Sequence, residues 1–391
     1  MRLVSPVRRA YSHSKHTPQG NRPLSFQLAI GSNVRKSPYF DATVAHGVVS
    51  FSIYNHMLIP AHFGDPEGEY QALLNNVVMW DVAGQRQVEL AGPDAEKLVR
   101  YLTTRDISDI VIGQAKYVPI CDHDGTFIND PVLQKIADDC FWLSIADSDI
   151  GLWARAIAAE RGFEVRVSEP DVSPMGIQGP RATDLVAELF GDWVRELKYF
   201  WFRETELDGI PILLARSGWS KQGGFELYLR DGTRGTELWN RVKDAGASYG
   251  IVPGAPSDIE RIECGLLSYG ADARSGTNPF EVGLGHLVDL DREDDFVGKA
   301  ALQKIMNEGL RRRRVGLVIA GDRISAFTQP QGIYLGEDVV GTATEAVYSP
   351  RLDRNIAVAI LNSEIADDEQ GLQVDIGEER RPATVSRLPF C

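Results

Sequence analysis

Positive charge is the first thing in short supply. Lysine and arginine number 41 against 55 aspartates and glutamates, leaving a formal charge of −14 and a pI near 5.0. Binding a phosphate backbone takes a concentrated basic surface, so this balance argues against nucleic acid as a partner. The one basic run, Arg311–Arg314, lies between a helix-like and a strand-like segment, where a solvated helix end is expected. Cysteine is scarce as well. The four thiols, Cys121, Cys140, Cys264 and Cys391, form no CxxC and no close pair, which argues against a disulfide framework. The histidines are scattered, and His56 and His62 have no cysteine or further histidine at zinc-site spacing, so no metal is expected. No GxGxxG follows a strand and no GxxxxGK[ST] occurs, which argues against a dinucleotide fold and a P-loop. No apolar run approaches the ~20 residues that span a bilayer.

What is present is ordinary globular material: 391 residues, 43% hydrophobic and 25% charged, enough for two or three domains. Residues 1–35 hold no acid and no apolar h-region, so they form a leader and not a secretory signal. The weak amphipathic pattern there points to a cytoplasmic protein. A mitochondrial transit peptide is the alternative. Residues 86–91 alternate as a strand, and Gly92-Pro93-Asp94 opens a helix with Asp94 as N-cap. Lys116–Cys121 and Phe141–Ala146 are β-type runs flanking the turn Asp122–Gly125. Helical segments recur at 150–160, 180–190, 234–247 and 298–308, with β-type runs at Ile210–Ala215 and Phe225–Leu229. Beyond Arg314 six short strands with turns predict a small closed barrel or sandwich. The class is α+β: a region over 36–300, divided near 170 into two interleaved α+β domains, then a β-barrel domain over 301–391.

Four segments gather polar, aromatic and glycine residues that core packing does not demand. They are Tyr54–Pro60, Lys116-Tyr117 with Gly125–Val132, Arg216–Glu226, and Glu260–Gly270. The tracts SGWSKQGGFELY and ERIECGLLSYG, then TNPFEVGL, NDPVL and the terminal LPF, resemble the tetrahydrofolate-dependent dimethylsulfoniopropionate demethylases. The wider pattern, with IQGP at 177–180 and a glycine-rich turn ending in glutamate, resembles the T-protein, the aminomethyltransferase of the glycine cleavage system. The resemblance covers about 36–390. It implies a cloverleaf of three domains around a central channel that holds tetrahydrofolate, and a C1-group transferase.

The resemblance implies cofactor contacts at Glu226, Tyr117, Gln178 and Arg261, and catalytic roles for Asp130, Tyr117 and Trp219. Chemistry supports Glu226 independently, because a carboxylate accepts two bonds from the donor-rich edge of a pterin. T-proteins carry Asp-Asp where this chain has Asn129-Asp130. Releasing ammonia from an aminomethyl donor requires proton handling, whereas a methyl leaving a sulfonium releases a neutral sulfide. Asn129 therefore suits a methyl donor. Trp219 is the expected cap over a cationic donor, through cation–π attraction, with Lys221, Met57 and Tyr54 as further donor contacts and Trp80 and Trp201 as core. Such demethylases tend to have an acid where Gln85 stands, which leaves a related methylated betaine open as substrate. The alternatives are an aminomethyltransferase working with a lipoyl carrier protein and a non-catalytic folate-binding protein. SGWSKQGGFE lacks the cysteine that marks the latter group. A homodimer is left open.

Overall fold

The computed structural model describes residues 29–367 and 371–391. Most of the expected leader, residues 1–28, lies outside the described residues. Arg35–Lys36 forms a short strand parallel to Met57–His62, which pairs in a hairpin with Ser50–Tyr54. The hairpin turn is Asn55-His56, both left-handed at φ 47° and 60°.

Apart from the short pair Ile120–Cys121 and Phe127–Asn129, strands between residues 77 and 254 sort into two facing sheets although they interleave along the chain. The six-stranded sheet runs in the order Phe202–Leu207, Ile210–Ala215, Gly224–Leu229, Ser173–Gln178, Val77–Asp81, Ile251–Gly254. Its pairings are antiparallel except the last, which is parallel. The five-stranded sheet is antiparallel throughout: Arg166–Ser168, Gln87–Ala91, Cys140–Ser144, Val132–Ala137, Ala115–Tyr117. The pleat sends alternate side chains to opposite faces. Phe225, Leu227 and Leu229 accordingly join the largest core, beneath helices Ala182–Phe190 and Gly235–Ala245. Val88, Leu90, Phe141 and Leu143 pack likewise under helices Ala95–Leu102 and Ile150–Arg161. The intervening residues point between the sheets, where Tyr228, Leu213 and Phe202 meet Ala115 and Trp142. Both sheets are thus covered by helices outside and by each other inside.

The six expected C-terminal strands close into a barrel: Arg312–Ile319, Arg354–Asn362, Asp338–Ser349, Gln331–Leu335, Leu372–Ile376, Glu379–Ser386, and back to the first. So few strands leave a narrow interior, filled by Ala343, Ala357 and Ala359 with Leu317, Ile333 and Val374.

Three local expectations are corrected. Asp94 stands at the N-cap of its helix as expected, but its side chain makes no capping bond. Its carboxylate accepts from Glu164 N at 2.9 Å and from Lys97 at 2.6 Å, so a distant loop competes successfully for it. Lys116–Cys121 is not one strand. Pro119, which has no N–H to donate, separates Ala115–Tyr117 from Ile120–Cys121, and the two pieces join different sheets. The arginine run is not a solvated helix end. The helix stops at Glu308 and Arg312–Arg314 open the barrel, with Arg312 paired to Glu281 and Arg314 buried against Asp272.

Gly92-Pro93-Asp94 and Gly179-Pro180-Arg181 do share one device. Each glycine has positive φ (145° and 123°), and a Cβ on either would press into a backbone carbonyl, of Glu164 or Asn76. The residue two places on donates its N–H to that same carbonyl, at 3.4 and 3.2 Å.

Candidate active site

Strand Gly224–Leu229 carries Glu226 into the space between the sheets. The register makes room for it: Glu226 lies opposite Gly176 on one side and Ala215 on the other. The turn leading into the strand requires glycine. Gly224 has φ 142°, and a Cβ there would collide with the Ile177 carbonyl. Glu226 is 6% exposed. Ser217 donates to its Oε2 at 2.5 Å and Tyr228 to the same oxygen at 3.3 Å. No hydrogen bond from a described residue reaches Oε1. Burial raises the pKa of the carboxyl, and the two donors oppose that rise.

The loop before the strand is held from below. Gln178 donates to the carbonyls of Ser217 (3.1 Å) and Phe225 (3.2 Å) and accepts from Ser220 at 2.8 Å. Lys221 has an exposed side chain, while its N–H is bound by the buried Glu260 at 2.8 Å. Trp219 is half-buried and donates Nε1 to the Leu267 carbonyl at 3.3 Å.

A second cluster forms on the other side of that contact. Leu267 and Tyr269 pack with Tyr117 against Phe127. The Tyr117 hydroxyl donates to Asp130 Oδ2 at 2.5 Å, while Asp130 Oδ1 is buried without a described partner. Burial pushes the Asp130 carboxyl up to about 7, against the opposing bond from Tyr117. Tyr54 is raised too, chiefly by burial and then by the charges of Asp130 and Asp147.

Asn129 is fully engaged. Its Oδ1 accepts from Ala146 N at 3.0 Å, and its Nδ2 donates to the Ala146 carbonyl at 3.0 Å and to Ser148 at 2.7 Å. Asn55 donates to that same carbonyl at 2.8 Å, and Asn55 N donates to Asp147 at 2.7 Å. One carbonyl thereby gathers three segments whose neighbouring residues are Tyr54, Asp130 and Asp147.

The remaining candidates lie elsewhere. Met57, 6% exposed, belongs to the largest core, beside Tyr39 and Ala83. Arg261, 1% exposed, pairs with Asp272 at 2.9 Å and with Glu345, and donates to the Leu266 carbonyl at 3.1 Å. Arg314 shares Asp272 and Leu266 with it, so this network ties helix Asp258–Glu263 to the barrel. Trp80 is core as expected, packed on Leu73 and Val82.

Comparison with known proteins settles the lineage. Residues 39–292 match the model of the GCVT N-terminal domain, and residues 312–391 match the glycine cleavage T-protein C-terminal barrel domain. The chain belongs to the glycine-cleavage T-protein family. Among relatives in that family, it is 40% identical over 352 residues to a dimethylsulfoniopropionate demethylase (DmdA) of Ruegeria pomeroyi, covering 90% of this chain and 96% of that one. It is 28% identical over 364 residues to an aminomethyltransferase of Bacillus cereus, covering 91% and 98%. The crystal structure of the glycine cleavage system aminomethyltransferase T from Bartonella henselae superposes with a TM-score of 0.80 at 20% identity, covering 92% and 98%, which shows the T-protein fold.

For this T-protein family member, sequence reasoning missed Ser217, Tyr228 and Asp147. Tyr228 was recoverable, since it stands two residues beyond Glu226 on one strand and must share its face. Ser217 opens the tract SGWSKQGGFELY without having been given a role there, and Asp147 arrives through a loop that no local pattern announces.

Proposed function

We propose that the protein is a tetrahydrofolate-dependent transferase that takes a methyl group from dimethylsulfoniopropionate or a similar methylated sulfonium or betaine. The observation that carries the folate reading is Glu226, a buried carboxylate with one oxygen held and the other open to a donor-rich ring. The choice of donor is supported by the greater identity to the demethylase, 40% against 28%. Asn129 adds to it, because its amide is spent on the Ala146–Ser148 segment and carries no proton for the reaction.

Bound tetrahydrofolate supplies the nitrogen nucleophile. Glu226 orients the ring edge, with Ser217 and Tyr228 holding the carboxylate still. Tyr117 and Asp130 line the transfer zone, and Asp130 Oδ1 is the acceptor available there. Trp219 caps the donor cation beside Tyr54, and the exposed Lys221 pairs with the donor's carboxylate. Gln178 and Arg261 act at one remove, as positioning residues: the first fixes the Ser217–Ser220 loop and the second the Leu266 backbone next to Trp219's acceptor. Met57 contributes packing. The leaving sulfide is neutral, so catalysis is mainly alignment of the sulfur–methyl bond at near-attack distance.

An aminomethyl donor is the second reading, favoured by one observation. A carboxyl raised to about 7, as Asp130 is, suits proton transfer at neutral pH. Incubating the protein with tetrahydrofolate and a panel of sulfonium and betaine donors, and measuring 5-methyltetrahydrofolate, separates the two. Methyl transfer is expected. Folate-dependent ammonia release from an aminomethyl-lipoyl donor, with no methyl transfer from any donor, overturns the first reading.

A further inference from the structure

The layer between the two sheets contains polar side chains that the mechanism above does not use. Gln134 pairs in register with Trp142, and Gln87 with Ser144. Trp142 and Ser144 are two residues apart on one strand, so all four share a face. Trp142 packs against Tyr228 of the opposite sheet, so that face is the one turned toward Glu226. Gln134 is 1% exposed and Gln87 is 0% exposed. Both side-chain atoms of Gln134 lack a hydrogen-bond partner among the described residues, and so does Gln87 Oε1. Rotating the Gln134 amide by half a turn exchanges its N and O and leaves both unpaired. The Gln87 amide nitrogen, by contrast, is occupied by the Gln85 carbonyl at 2.7 Å and Ser144 Oγ at 3.0 Å.

Buried groups of this kind are nearly always paired, because each one left unmade costs the full desolvation of that group. Their inventory is specific. Gln134 offers one donor nitrogen, with two N–H bonds, and one acceptor oxygen, while Gln87 and Glu226 Oε1 add two further acceptor oxygens. A ligand that completes this set brings more donors than acceptors, and it is flat enough to lie between two sheets.

We propose that Gln134, backed by Gln87, is a further pterin-binding residue, meeting ring groups of tetrahydrofolate that Glu226 leaves unpaired. A reduced pterin fits the inventory: an exocyclic amine and several ring N–H groups donate, and one carbonyl accepts. The carboxylate takes the amine edge, the Gln134 amide nitrogen takes the carbonyl, and its oxygen takes a ring N–H. This assignment rests on the reduced-folate reading and deepens it. Tyr228, bonded to Glu226, stands where the two walls meet. Burial and the charge of Glu226 raise the pKa of its hydroxyl, and the polar atoms of Ser144 and Gln134 lie close enough to oppose that rise while falling short of full hydrogen-bond geometry.

The test is calorimetric binding of tetrahydrofolate, and of a simple reduced pterin without the aminobenzoylglutamate tail, to wild type and Gln134→Met. Methionine keeps the volume and removes both polar atoms. Affinity for either probe is expected to fall roughly five- to twentyfold, the loss of one or two neutral hydrogen bonds. The melting temperature of the ligand-free variant is expected to rise, because two unpaired groups have been deleted. Gln87→Met should show the same signs with a smaller loss. An unchanged dissociation constant overturns the proposal, as when ordered water alone satisfies the amide. A loss confined to the tailed probe overturns it too. If Gln134→Met fails to fold, Gln134→Asn must weaken both probes in the same direction or the proposal falls. Failure of the wild type itself to bind any reduced folate removes the underlying reading and this assignment together. Normal wild-type binding with unaltered variants removes only the assignment.

Discussion

Replacing Glu226 with glutamine tests the site at its centre, because the substitution moves binding and stability in opposite directions. The side chain keeps its length and its contacts with Ser217 and Tyr228, but the charge goes and an N–H replaces one acceptor. Hydrogen bonds to charged groups contribute ~1.5–3 kcal/mol, and one donor of the ring edge would then face another donor. At ~1.4 kcal/mol per tenfold, tetrahydrofolate affinity should drop roughly ten- to a hundredfold. Stability follows from the pKa. Burial raises the Glu226 carboxyl in the folded state, so the folded protein holds this proton more tightly than the unfolded chain does. Its contribution is therefore most favourable at low pH and is lost as pH rises through the folded pKa, so at neutral pH the buried charge is a net cost. Glu226→Gln removes that cost, and the ligand-free variant should melt higher at pH 8 and level with wild type at acid pH. The assay pairs isothermal calorimetry with thermal melts at two pH values. Unchanged affinity refutes the folate assignment, and a melting temperature that falls at pH 8 refutes the electrostatic account.

Asp130 should impose a pH dependence of its own. With its pKa raised to about 7, kcat/KM for a cationic donor is expected to climb through neutrality as the carboxylate forms, and Asp130→Asn should abolish that limb. The same raised pKa means stability is lost between the unfolded value near 4 and about 7, so Asp130→Asn should exceed wild type in stability at pH 8 but not at pH 4. Asn129→Asp keeps the bond from Ala146 N, forfeits two donated bonds and sets a carboxylate against the Ala146 carbonyl. A loss of ~1–3 kcal/mol, read as a lower urea midpoint at unchanged slope, is expected, and an equal midpoint would contradict that role. Trp219→Leu should lower kcat/KM for a sulfonium donor roughly ten- to a hundredfold while leaving the binding of a neutral thioether analogue unaltered, since ~2 kcal/mol of cation–π attraction is at stake. Equal losses for both ligands would reduce Trp219 to a packing role.

The barrel was legible because its information is local: six strands of alternating pattern closed by turns, with small residues where the interior is narrow. Glu226 was legible as well, since a glycine pair before a strand glutamate already states a close backbone approach. Helix Pro66–Asn75 was passed over although Asp65 caps it and Pro66 opens it, and Phe40–Ala45 and Asp258–Glu263 were passed over because each is only six residues long. Glu263 on the last of them is buried beneath Tyr70, Ser349 and Arg351, which come from 86 to 193 residues away. The arginine run shows the same limit: its charge suggested solvent, but Asp272 and Glu281 draw it inward. By itself, then, the sequence determined the lineage and the barrel and singled out Glu226 as the candidate carboxylate, because each is written in residues close together along the chain. Only the tertiary structure decided what faces that carboxylate. Gln87 and Gln134 share a buried layer with Tyr228 and Glu226 solely because two sheets, interleaved in sequence, turn one face of each toward the other.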